Sequence, residues 1–168
     1  NIKWFYQIII SSTINNRDKA VAAYLRYNPR FTPPTSGIFM AKQKKDGLIE
    51  SVTPTDFSKY DPNDIEHVGW YYIPIKSGKP LWMDPYQNRN IDIHMISYVI
   101  PIFKFQTAIG VVGVDIDFEY LPREIAFIKL LNSGYAFLED RNGRILYHPT
   151  MVSGQTFEES DNNEVLRK

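Results

Sequence analysis

The sequence predicts an α+β fold: a long N-terminal helix, an antiparallel sheet with a ligand pocket on one face, and a second helix leading into a smaller sheet. Three observations carry that expectation. Apolar or small residues recur every three or four positions from Ile2 to Tyr27, with no Gly or Pro between them. Two long β-rich runs, 92–103 and 108–117, are separated only by a short turn. Beyond the second helical pattern, Asn142-Gly143 sits between two more short apolar runs as a hairpin signal.

The chain has 168 residues, enough for one or two small domains with a real core. Hydrophobic residues make up 43% and charged residues 23%, which places it among globular chains. The formal net charge is zero, so there is no electrostatic footprint for nucleic acid or an anionic membrane surface. The absence of cysteine removes disulfides, thiolate metal sites and thiol catalysis together. No apolar run approaches the roughly 20 residues of a membrane span. The chain opens inside a helical pattern, as expected of a piece taken from a longer protein.

In order, residues 1–27 read as one helix with Ile2, Phe5, Ile9, Thr13, Asn16, Ala20, Ala23 and Tyr27 on a single stripe. Such a stripe suits a core helix lying across a sheet, or a signalling or dimer helix arriving from a membrane. Arg26 to Pro29 ends it, and the breaker-rich 31–37 is an extended connector. Strands follow at 38–42 and 48–53, joined through Asp46-Gly47. Asp61-Pro62 reads as an N-cap and first helical residue of a short helix through Glu66. A second short helix covers 69–76 and is closed by Gly78. Leu81 to Met83 is a short strand before an Asp84-Pro85 turn, and 92–103 is a strand with apolar residues on both faces. Its partner is 108–117. Helix 118–131 follows, with Asp117 as N-cap and Leu121, Ile125, Ile128 and Leu131 on one side. Strands 135–139 and 144–148 then flank the Asn142-Gly143 turn.

The chemistry concentrates in two stretches. Two of the three Trp and three of the eleven Tyr lie between Gly69 and Tyr86. Flat side chains with a polar tip suit a small ligand that is both stacked on and hydrogen-bonded. On the strand 108–117, period two puts Ile109, Val111, Gly113, Asp115 and Asp117 on one face. Asp115 therefore points toward the aromatics, beside a glycine that leaves room for a ligand, and the face without acids is expected to pack on a helix. His67, His94 and His148 show no ligand spacing, so no metal is expected. No phosphate loop, nucleophile elbow or helical His-Glu pair is present, so neither a cofactor nor catalysis is expected.

Trp70-Tyr71, Gly78-Lys79, Trp82-Met83-Asp84-Pro85-Tyr86 and Gly110-Val111-Val112-Gly113-Val114-Asp115-Ile116 occur in an order and spacing similar to the membrane-distal lobe of double Cache sensor domains. Gly134 to Leu138, Asp140, Gly143, Ile145-Leu146 and His148-Pro149 resemble the opening hairpin of that family's membrane-proximal lobe. The resemblance implies two PAS-like lobes. The parts are an N-terminal helix at 1–27, a membrane-distal ligand-binding lobe at 28–117, a connecting helix at 118–134 and a partial second lobe at 135–168. It implies an extracytoplasmic sensor of a membrane-anchored receptor, with a histidine kinase, diguanylate cyclase or chemoreceptor output, and a small-molecule ligand. A homodimer through the N-terminal helix is the protein contact such a layout allows. Members that recognise amino acids hold the ligand ammonium with an Asp and its carboxylate with an Arg two residues before the Trp-Tyr pair. Trp70, Tyr71, Tyr86 and Asp115 fall on the family's ligand positions, with Gly113 beside them. Val68 falls where the Arg would be, which removes the bidentate carboxylate clamp, and His67 or Lys76 replaces it only in part. The expected ligand is therefore a cation or a neutral polar molecule. The rival expectation is a solute- or carbohydrate-binding module without a signalling role, since stacked aromatics plus an acid also suit sugars.

Overall fold

The computed structural model describes residues 19–43, 47–88, 93–131 and 133–159. The chain divides into two units, 1–117 and 118–168. In the first, seven strands form one sheet in the order β3-β2-β1-β7-β6-β4, with β5 also paired to β6. They are β1 (Ala20–Tyr27), β2 (Gly37–Lys42), β3 (Ile49–Ser51), β4 (Leu81–Trp82), β5 (Tyr86–Asn88), β6 (Ile93–Lys104) and β7 (Thr107–Asp117). Every pairing is antiparallel.

The expected helix over 1–27 is corrected at its C-terminal part: Ala20–Tyr27 is a strand. Ala20, Ala22 and Ala23 have the highest helix propensity, but β1 lies between β2 and β7 and bonds to both. β1 is packed on both faces, with Tyr24 in one cluster and Ala20 and Ala23 in another, so every residue from Ala20 to Arg26 is buried or half-buried. Residues 1–18, and the dimer contact expected of their helix, lie outside the described residues.

β6 and β7 form the longest ladder and meet at a two-residue turn. Phe105 (φ 47°) and Gln106 (φ 67°) are both left-handed, as a primed hairpin turn requires, although neither is Gly or Asn. Helix α1 (Ile65–Ser77) is a single element where two short helices are expected. Asp64 is its N-cap, accepting from the His67 backbone N–H at 3.1 Å, and left-handed Gly78 closes it. Asp61 instead accepts from the Asn63 backbone N–H at 2.7 Å in a local turn, so Asp61-Pro62 is not the helix start.

Helix α1 packs on the face of the sheet that carries Asp115, not on the opposite face as expected. Val68 and Tyr71 join Tyr24, Phe57, Val99 and Val111 in one core cluster. A second cluster, Ala20, Ile38, Met40 and Ile49 with Ala23 and Val114, includes the alternate residues of β2 and β7. Arg26 is fully buried at the end of β1 and ties the connector to the sheet. Its Nε donates to Ser36 O (3.2 Å), and its Nη2 donates to Pro34 O (2.9 Å) and Thr55 O (2.8 Å). Its Cζ lies 4.4 Å from the Phe57 ring centroid.

In the second unit, helix α2 spans only Tyr120–Ala126. It buries no residue, so nothing sustains it across the expected 118–131, since most helical stability comes from packing a face. The expected N-cap Asp117 pairs with Met95 at the end of β7. The cap is Glu119, which makes no side-chain cap bond. β8 (Lys129–Leu130) pairs with β9 (Gly134–Tyr135), so Tyr135 lies outside the hairpin expected of it. β10 (Leu138–Glu139) and β11 (Ile145–Tyr147) form that hairpin. Its turn is fixed by Asp140 Oδ1, which accepts from Asn142 N (2.8 Å) and Arg144 N (2.9 Å), and by left-handed Gly143. Among the described residues, no helix is long and apolar enough to cross a membrane.

Candidate functional site

A cavity of about 620 Å³ lies on the α1 face of the seven-stranded sheet. β1 and β2 contribute Tyr24 and Phe39, α1 contributes His67 and Trp70, β5 contributes Tyr86, and β7 contributes Asp115. The lining adds a polar set that includes Gln43, Thr53, Glu66, Gln87 and Asn88. Among the described lining residues there is no Lys or Arg.

Asp115 is 1% exposed and sits at the deep end with Ser97, which is fully buried. Ser97 Oγ donates to Asp115 Oδ1 at 2.7 Å and lies 3.0 Å from Tyr86 Oη. A hydroxyl has one proton, so with Asp115 ionised the chain runs one way: Tyr86 donates to Ser97, and Ser97 donates to the carboxylate. Burial pushes the Asp115 carboxyl up to about 7, with the Ser97 hydrogen bond opposing the shift. Burial, then the Asp115 charge, also raises the Tyr86 phenol far above its usual range.

Tyr24 completes this end. Its ring stacks on Phe39 (centroids 5.4 Å, planes 7° apart) and meets Trp70 edge-on at 4.9 Å. Burial, then the charge of Asp115, raises its phenol well above the ordinary value. The Tyr24 hydroxyl is buried beside Asp115 and Ser97, close enough for both to act on it. Gly113 explains how the ring reaches this place. A Cβ built on Gly113 would lie 2.4 Å from Tyr24 Cζ and 2.5 Å from its hydroxyl oxygen, so the missing side chain makes room for a tyrosine.

The outer wall is held by local bonds on α1. Asp64 Oδ2 lies 2.9 Å from His67 Nδ1, and Trp70 Nε1 donates to His67 O at 3.0 Å. The Tyr60 ring stacks on His67 with centroids 4.7 Å apart. Of the residues read from the sequence, Trp70, Tyr86 and Asp115 line one cavity. Val68 and Tyr71 lie in the core, 1% and 0% exposed, with Tyr71 against Phe57 at 4.6 Å. Gly113 acts through Tyr24. Tyr24, Phe39 and Tyr60 line the cavity as well, and none of them is among the residues expected there. Once β1 is a strand, Ala22, Tyr24 and Arg26 share a face by alternation, and that was the available signal.

Residues 6–123 match the family described as methyl-accepting chemotaxis protein-like, first PDC sensor domain. The chain belongs to that family. As a PDC sensor domain of the chemotaxis-protein-like type, it is not itself catalytic. It is 28% identical over 115 residues to the methyl-accepting chemotaxis protein PctB of Pseudomonas aeruginosa, a match covering 68% of this chain and 16% of PctB. The extracellular domain assigned to a histidine kinase, mmHK1S-Z2, superposes with TM-score 0.67 at 23% identity, over 98% of this chain and 65% of that one. The sensory domain of the Campylobacter jejuni chemoreceptor Tlp3 with isoleucine bound superposes with TM-score 0.55 at 22% identity, over 83% of this chain and 48% of that one. The PDC sensor domain thus spans less than two thirds of each of these relatives.

Proposed function

We propose that this PDC sensor domain is the extracytoplasmic ligand-binding part of a membrane-anchored receptor, and that it binds a small cationic or neutral polar molecule in the cavity around Asp115. An amine or an amino-acid-like solute is the favoured class. The observation that carries this reading is a buried carboxylate at the end of an aromatic-walled cavity with no Lys or Arg among its described lining residues. Aromatic side chains lining the cavity favour a cation, each by roughly 0.5–2 kcal/mol where a face is presented, depending on desolvation. Among the described lining residues a carboxylate ligand finds no such balance, and burying an unpaired carboxylate costs several kcal/mol. The Tlp3 sensory domain has been crystallised with isoleucine and with L-valine, which supports a small-molecule ligand for the shared fold. At Val68 this chain has a core residue in place of a clamp, so a zwitterion would be held here by its ammonium end.

The β10–β11 hairpin is taken as the opening of a second PAS-like lobe. The output is taken as a histidine kinase, diguanylate cyclase or chemoreceptor module, biased through differential ligand affinity for two arrangements of the domain. A thermal-shift screen of amines, amino acids, organic acids and sugars tests the ligand class. A ligand at 100 times its Kd stabilises the fold by about 2.7 kcal/mol, so amines should raise Tm. A response confined to dicarboxylates would overturn the reading.

A further inference from the structure

We infer that Arg26 and Tyr71 form a buried site for a small monovalent anion of the halide class, separate from the cavity around Asp115. Both side chains are fully buried, and neither lines that cavity. Arg26 Nη1 and Tyr71 Oη have no hydrogen-bond partner among the described residues. The two groups share one locality. Arg26 Cζ lies 4.4 Å from the Phe57 ring centroid, and the Tyr71 ring centroid lies 4.6 Å from that same point. Burial raises the Tyr71 phenol, Tyr72 adds to the shift, and the charge of Arg26 opposes it.

The rest of the guanidinium is already committed, which fixes where Nη1 stands. Nε donates to Ser36 O, and Nη2 donates to Pro34 O and Thr55 O. Burial lowers the guanidinium only to about 10, so it remains a cation at neutral pH. Asp56 acts on it through its charge alone, and Asp56 Oδ1 accepts from Ser58 N (3.0 Å) and Ser58 Oγ (2.7 Å). The locality therefore offers donors and a positive charge, and it calls for an acceptor. A water would accept from both groups but bring two further protons in need of acceptors. A monatomic anion only accepts, and it also balances a buried charge. Full burial of both side chains favours such an ion over a carboxylate with an organic body. An ion held there would join β1, the 34–36 connector, the 55–57 segment and α1, so its binding should stabilise the first unit.

The test is thermal unfolding of the whole chain, with no organic ligand added, as sodium chloride replaces sodium gluconate at constant ionic strength. Tm should rise by about 3 °C or more on going from no chloride to about 0.5 M, and bromide should act as chloride does. Tyr71→Phe keeps the ring and loses one donor, so the halide concentration giving half the Tm rise should increase about fivefold or more. That readout compares chloride responses, so it holds even where the variant has a lower Tm throughout. Crystals soaked in bromide should show an anomalous peak within hydrogen-bonding reach of Arg26 Nη1 and Tyr71 Oη. A Tm indifferent to chloride would overturn the inference, and so would a chloride response unchanged in Tyr71→Phe or bromide found only elsewhere. None of these results bears on the cation-binding reading of the cavity, which stands or falls on its own screen.

Discussion

Replacing Gly113 by alanine should destabilise the first unit, against the ordinary trend. Gly113 lies inside β7, and glycine in a strand interior is normally worse than alanine by roughly 0.5–1 kcal/mol. The added Cβ, however, would lie 2.4–2.5 Å from three atoms of Tyr24. That ring cannot swing aside cheaply, because Phe39 stacks on one of its faces and Trp70 abuts it. Overpacking of this kind costs about 1–3 kcal/mol and outweighs the backbone gain. A Tm fall on the order of 5 °C or more is expected. The discriminating measurement is a thermal double-mutant cycle with Tyr24→Ala. In that background the clash is gone, and Gly113→Ala should become neutral or stabilising. If Gly113→Ala costs the same with and without the Tyr24 ring, then Gly113 does not make room for Tyr24.

Two further predictions concern charge. Asp115 has a folded-state value near 7 against an ordinary 3.8, so the folded protein holds this proton more tightly than the unfolded chain does. Its contribution therefore favours folding below about pH 4 and is lost progressively up to about pH 7, on the order of 4 kcal/mol at most. Asp115→Asn should flatten this slope in denaturant titrations, and an unchanged slope would refute the assignment. Since a cation needs the ionised carboxylate, amine affinity should fall about tenfold per pH unit below 7. Arg26→Leu removes one donor from each of the Ser36, Pro34 and Thr55 carbonyls, of which Ser36 and Pro34 keep a backbone donor, Tyr27 N and Phe57 N. It should cost about 2–4 kcal/mol in urea unfolding, and a loss below about 0.5 kcal/mol would show that the connector is held by other contacts.

The pattern Gly110-Val111-Val112-Gly113-Val114-Asp115 announced both its strand and the face its acid takes, because side-chain period two survives wherever one face is buried. The Asn142-Gly143 turn was equally legible, since local hydrogen bonds from Asp140 fix it without outside help. β1 was not. Its alanines favour a helix locally, and only pairing with residues 11 or more positions away makes it a strand. That error hid Tyr24, the residue that most shapes the deep end of the cavity. The helix over 118–131 fails for the opposite reason: its apolar period is real, but Ile128 and Leu131 are exposed. Trp70 and Tyr71 are adjacent on α1 and so point about 100° apart. One faces the cavity and the other the core, a division set by where the helix lies on the sheet.

The central claim, that Asp115 anchors a small cation, is tested most directly by titration calorimetry of an amine and of a simple dicarboxylate on the wild type and on Asp115→Asn. The account predicts that the wild type binds the amine and that Asp115→Asn weakens it by about tenfold or more, because a charge-assisted hydrogen bond is lost. Tight binding of the dicarboxylate, unaffected by Asp115→Asn, would contradict it.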